Sequence, residues 1–491
     1  MKKVSSLVLV VALVFTNLFI FAPTIPISNA LQSWTTTSQS DFLSGILDNV
    51  SVSNNGDVKL ASYTKYVDEN FKDESKIAYK KNIIIDTNKG EAKLLKINKT
   101  FGGRNYDGGY SVQQTKDEGY IITGNTESYG GGDYDLWLIK IDCSGNEEWN
   151  RTFGGSNDDS GASIQQTEDG GYIIVGSTES YGAGDNDLWL IKTDFFGNKQ
   201  WDKTFGRSDS DYGESVQQTK DGGYVIIGNT YSNDHYTTDT WLIKTDSSGN
   251  KQWDKKFGGS DSDYGESVQQ TTDGGYVIVV TRSYGAGNWD IWLIKTDASG
   301  NKKWDKRFGG VKSDKGKSVQ QTKDGGYIIT GSTESYGAGG YDLWLIKTDS
   351  SGNKQWDKTF GGYGYEYGWS VQQATDDGYV VAGETSSYGA GDYDFWLIKT
   401  DSSGNMQWNR TFGGGNKDRC FSVKQTKDSG YVITGYTDSY GSGLHDLWLI
   451  KTDDYGNMQS TGDLISTNIL SEKNVYSIDA FMYSAYIPPA T

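Results

Sequence analysis

From Phe101 onward, short apolar runs alternate with polar, glycine-rich breaks, and the breaks recur at a fixed interval. The stretch Gly206 to Phe257 shows one full interval. Glu214-Ser-Val-Gln-Gln-Thr219 reads as a first strand, and Lys220-Asp-Gly-Gly223 follows as a turn whose glycines can take positive φ. Tyr224-Val-Ile-Ile-Gly228 is a run of aromatic and β-branched residues, the side chains that suit a packed strand. After a longer loop, Asp239–Thr245 predicts a third strand, Asp246–Asn250 a second tight turn, and Lys251–Phe257 a fourth strand.

The motif Phe-Gly-(Gly/Arg) opens at Phe101, Phe153, Phe205, Phe257, Phe308, Phe360 and Phe412, at spacings of 52, 52, 52, 51, 52 and 52. Seven units of four short antiparallel strands predict an all-β, seven-bladed β-propeller over residues 92–460. A parallel β-helix is the competing fold, but its rungs are shorter and lack hairpins with glycine turns at both ends. The fourth-strand Trp recurs from Trp149 to Trp408, and its next position is Ser460, in a poor strand. Leu94–Phe101 carries the same pattern ahead of the first unit, with Ile97 in the Trp column. Residues 93–101 are therefore expected to close the ring beside Asp446–Thr452 and to cover an open edge.

Outside the repeats, residues 1–30 read as an export signal: Lys2 and Lys3, an apolar stretch from Leu7 to Ala22, then Ser28-Asn29-Ala30. Residues 31–91 predict a small β-rich appendage, with hairpins around Asn55-Gly56 and Asn88-Lys-Gly90. Residues 461–491 form an irregular tail. The expected setting is secreted or cell-surface, with no membrane span once the leader is cleaved. The whole chain carries a net charge of −18, and −20 without Lys2 and Lys3. Such a surface repels nucleic acid and suits hard cations. Cys143 and Cys420 stand where sister units carry other residues, so both thiols are expected free.

Lines such as Asp342-Leu-Trp-Leu-Ile-Lys-Thr-Asp-Ser-Ser-Gly-Asn-Lys-Gln-Trp356, followed by Phe360-Gly-Gly362, resemble the seven-bladed β-propeller repeat family of secreted and surface proteins of bacteria and archaea. The resemblance covers residues 92 to about 460. It implies export and a surface role, and it carries over no catalytic residues. A weaker resemblance, to the tryptophan-docking motif of quinoprotein propellers, fails on the spacing from Asp246 to Gly249 and implies no quinone.

Candidate chemistry sits on this frame. Each unit has an acid six residues after its Phe (Asp107, Asp159, Asp211, Asp263, Asp314, Glu366, Asp418) and a Ser four residues later (Ser111 through Ser422). One reading is calcium, with Asp209 and Asp211, or Asp261 and Asp263, as oxygen ligands around a glycine. The other is a structural carboxylate that satisfies loop N–H groups or the Ser hydroxyl. The third-strand Lys of each unit, such as Lys244, is expected to pair with the Asp two residues on. The longer loops share one face of the ring and hold most departures from the repeat. The sharpest is Tyr363, Tyr365, Tyr367 and Trp369, a candidate platform for carbohydrate or a protein partner. Two histidines, His235 and His445, in non-equivalent positions argue against a zinc site or a Ser-His-Asp triad. The repeated acids read as occupying equivalent environments, which argues against glycoside hydrolysis. The expectation is a non-catalytic binding module. A self-associating structural protein and a polysaccharide-active enzyme are the alternatives.

Overall fold

The computed structural model describes residues 97–232, 237–283 and 289–458, together with four short strands nearer the N-terminus. These are β1 (Val50–Val52), β2 (Val58–Leu60), β3 (Ile84–Asp86) and β4 (Glu91–Lys93), which form one antiparallel sheet in the order β1-β2-β3-β4. They belong to a compact unit separate from the repeats. Residues 1–30, expected to be an export signal, His235 and residues 461–491 lie outside the described residues.

The repeats form seven antiparallel sheets of four strands each, and no helix occurs among the described residues. Blade 1 is Asp107–Gln114, Tyr120–Thr126, Asp135–Ile141 and Glu147–Phe153. The next five blades repeat this order. Blade 7 takes Asp418–Gln425, Tyr431–Thr437 and Asp446–Thr452, and its fourth strand is Asn98–Phe101. The protein is a seven-bladed β-propeller with its ends joined in one sheet.

The closure follows from side-chain matching. Leu449 lies opposite Lys99, and Lys451 N–H donates to the Ile97 carbonyl at 2.8 Å. Ile97 is buried against Tyr120 and Trp137 of blade 1. Trp448 Nε1–H donates to Asn98 Oδ1 at 2.8 Å, as Trp344 does to Asp357 Oδ2 at 3.0 Å in blade 5.

Third strands such as Asp342–Thr348 are buried along their whole length, because neighbouring blades cover both faces. Each blade interface is an apolar layer. Val277 and Val279 of blade 4, for example, pack on Tyr327, Ile329 and Trp344 of blade 5. Each fully buried side chain of this size contributes about 1.5–3 kcal/mol. In blade 7 Cys420 fills the column that is Gly in the other six blades, opposite the small Ala382 and the larger Phe395. Both cysteines are free thiols.

First strands are innermost, and each has one edge without a ladder partner. The preceding blade covers it with side chains. Val216 N–H donates to Ser163 Oγ at 3.4 Å, and Gln218 N–H to Gln165 Oε1 at 2.6 Å. The Ser bond recurs at all seven interfaces, including Val112 N–H to Ser422 Oγ at 3.3 Å between blades 7 and 1. This belt satisfies backbone donors that would otherwise lie bare along the axis.

Candidate functional site

Every first strand carries a β-bulge at the same place. In blade 2, Gly161 faces Gly176 and Ser163 faces Val175, so Ala162 has no partner. The skipped residues elsewhere are Tyr110, Glu214, Glu266, Lys317, Trp369 and Phe421. A bulge re-aims its extra side chain and is frequent beside functional sites. Here the bulge column reads Tyr, Ala, Glu, Glu, Lys, Trp, Phe around the ring, while the Ser that follows never changes.

These side chains meet across blades. Phe421 lies 5.3 Å from Tyr110 and 5.4 Å from Trp369, ring centre to ring centre. Lys317 Nζ sits 4.9 Å above the Trp369 ring and pairs with Glu266 at 2.7 Å. Contacts running through successive innermost strands place the column around the axis. The result is a ring of half-buried side chains, termed the funnel below, with aromatics on blades 6, 7 and 1, acids on blades 3 and 4, Lys317 on blade 5 and the small Ala162 on blade 2.

A second tier is built on Tyr367 and Arg419, two residues earlier on the same strands, with neighbours from second strands and the loops before third strands. Arg419 holds the buried Glu384 through Nε at 2.6 Å and Nη2 at 2.5 Å. Tyr367 stands between Tyr341 and Tyr393, with centroids at 5.5 and 6.4 Å. His445 stacks on Tyr436 at 4.4 Å and pairs with Asp438.

The two funnel acids differ in environment. Burial, and after it the neighbouring Glu266, raise the Glu214 carboxyl to about 7 against the opposing pull of Lys317 and the Asn229 side chain. Glu266 is held by Lys317 instead. Glu214 and Glu266 lie outside the column of repeated acids, so the expectation of equivalent surroundings does not extend to them.

The four aromatic candidates separate. Tyr363 is 96% exposed and Tyr365 49%, both on the linking loop, whereas Tyr367 and Trp369 are half-buried in the funnel. Among the acids considered for calcium, Asp263 pairs with Arg282 at 3.3 Å and Asp211 accepts the Arg207 N–H at 3.1 Å. Asp209 and Asp261 lie in the loop before them. Among the described residues, no three His, Cys, Asp or Glu side chains gather as a metal-ligand set. The repeated carboxylate clamps its loop: Asp314 Oδ2 accepts Gly310 N–H at 2.8 Å and Ser335 O–H at 2.7 Å. That Ser is not the one four residues on, whose hydroxyl serves the axial belt. The third-strand lysines also choose a different Asp. Lys244 pairs at 3.0 Å with Asp221 of the first turn, which hairpin adjacency brings alongside. Asp246, the nearer in sequence, accepts the N–H groups of Ser248 and Asn250 in its own turn, both at 2.9 Å.

Sequence reasoning directed at loops missed the bulge column as a set. Its signal was present as the position of greatest change in strands whose other variable column lies two residues earlier.

No protein-family model matches the chain. It is similar to the regulatory protein FlaEY of Caulobacter vibrioides, at 24% identity over 203 residues. That match takes in 35% of this chain, which spans only 21% of the relative's length. Solved structures with a similar course include Sqt1 from Chaetomium thermophilum, at 10% identity and TM-score 0.43, over 75% of this chain and 87% of that one. The Pan2 WD40 domain of Neurospora crassa matches at 9% identity and TM-score 0.45, over 72% and 92%. A protein of unknown function from Bacteroides caccae matches at 13% identity and TM-score 0.38, over 56% and 89%.

Proposed function

We propose that the chain is a non-catalytic binding module, secreted or displayed at a cell surface, that receives a glycan in the axial funnel. The observation that carries this reading is the bulge column. Seven repeats keep their packing residues and vary the bulge side chain most, with the residue two places earlier next. The aromatic wall of Tyr110, Trp369 and Phe421 suits the flat apolar face of a sugar ring, and Glu214, Glu266 and Lys317 supply acceptors and a donor for hydroxyls.

A glycan-array screen of the purified protein, with calcium and then with chelator, tests it. Binding that Trp369→Ala abolishes and Tyr363→Ala leaves intact supports the funnel. Calcium dependence would promote Asp209, Asp211, Asp261 and Asp263 to ligands. Absence of glycan binding in both buffers overturns the glycan reading and favours a protein partner or self-association.

One observation favours a second reading, a polysaccharide-active enzyme: Glu214 and Glu266 are neighbouring carboxyls in unlike environments. That reading predicts new reducing ends from an array-positive polysaccharide, lost in Glu214→Gln.

A further inference from the structure

The axial belt has one defect. In six blades the residue two places after the belt Ser is Gln: Gln113, Gln165, Gln217, Gln269, Gln320 and Gln372. Each offers its Oε1 to an N–H of the following blade, at 2.5 to 2.8 Å. Blade 7 has Lys424 in this column. An ammonium donates and cannot accept. The N–H on its far side belongs to Gln114, which occupies the same register in blade 1 as Gln166 does in blade 2. No side chain among the described residues accepts from it. The rest of this seam is regular. Val112 N–H reaches Ser422 Oγ at 3.3 Å, and Lys427 N–H reaches Gln114 Oε1 at 2.9 Å.

By the register of the other six seams, two donors thus fall at one point of this seam, and one of them is a cation. Six equivalent positions show what the site lacks, which is an acceptor. Lys424 has no carboxylate partner among the described residues, and burial alone pushes its amine below the usual lysine range. An anion beside it reverses that push.

We propose that Lys424 and the Gln114 N–H form a binding site for a small oxyanion, a carboxylate or phosphate group. One ligand oxygen takes the ammonium and another takes the backbone N–H. The site lies three residues along the strand from the bulge column, roughly 10 Å toward the short-turn face. It is distinct from the sugar funnel and does not rest on that reading.

The test is thermal unfolding of the full chain at constant ionic strength, titrated with inorganic phosphate, with acetate, and with chloride as reference. The wild type should gain a few degrees with phosphate or acetate in a saturable way and nothing with chloride. The arm that saturates at the lower concentration identifies the preferred head group. Lys424→Gln returns an acceptor to the Gln114 N–H, so it should melt no lower than wild type without added ion and ignore both oxyanions. Lys424→Met, which removes the charge without supplying an acceptor, should also ignore them. The proposal is overturned if the wild type responds to neither oxyanion, or if both variants respond as it does.

Discussion

Replacing Arg419 with Leu isolates a buried charge. Glu384 is fully buried, and its carboxylate is held by both Nε and Nη2 of Arg419. Removing one member of such a pair typically costs 3–5 kcal/mol, because the remaining charge loses its compensation. The Arg419 side chain is 32% exposed, so solvent already screens part of the attraction, and the lower end, roughly 3 kcal/mol, is expected. The sign of the pH dependence follows. Burial raises the Glu384 carboxyl and Arg419 pulls it down. Without Arg419 the carboxyl rises further and takes up a proton in the folded state. The penalty should be full near pH 8 and shrink as pH falls toward 4, where the group is neutral with or without its partner. Urea unfolding of both proteins across this range is the assay. The double variant Arg419→Lys with Glu384→Thr, which copies the residues at the equivalent positions of blades 5 and 4, Lys315 and Thr281, should recover most of the loss. A cost below about 1 kcal/mol, or one equally large at pH 4, would refute the reasoning.

Other outcomes follow from the same geometry. The folded Glu214 carboxyl sits at about 7 against an ordinary 4.5, so its contribution to stability declines as pH rises between those values. Glu214→Gln should flatten that slope by at most about 3 kcal/mol, read from urea midpoints against pH. Gln217→Leu strips the acceptor from the Gln270 N–H, now at 2.6 Å, and should cost about 1–3 kcal/mol in the same assay. Hydrogen exchange should protect Asn98–Phe101 as well as any internal fourth strand, and Lys99→Pro should lower the melting temperature by interrupting its ladder with Leu449.

How far the sequence could be read depended on whether a residue obeys the repeat. The period, the four strands and the turns are legible because every blade solves one packing problem with the same side chains. Ring closure was legible for the same reason: Leu94–Phe101 carries the fourth-strand pattern, although the strand itself begins at Asn98. Partner choice was less so. Lys244 and Asp246 share a strand face, yet Asp221 lies across a hairpin that sequence distance hides. The funnel was only half visible. Tyr363 to Trp369 stands out along the chain, but the bulge that joins Trp369 to Phe421, Tyr110 and Glu266 appears only when the seven strands are set side by side. Lys424 became legible only once the Gln column had an identified task.

The central claim is that ligand enters the funnel and not the outer loops. Ala162→Trp tests it most directly. Ala162 is the small residue of the bulge column, and Trp369 shows that this backbone position accepts an indole. The substitution fills the funnel and leaves every loop unchanged. Run beside the wild type on the same glycan array, Ala162→Trp should lose binding at least tenfold, with an unchanged melting temperature. Binding retained at wild-type strength would contradict the account and move the site to the exposed loops around Tyr363 and Tyr365.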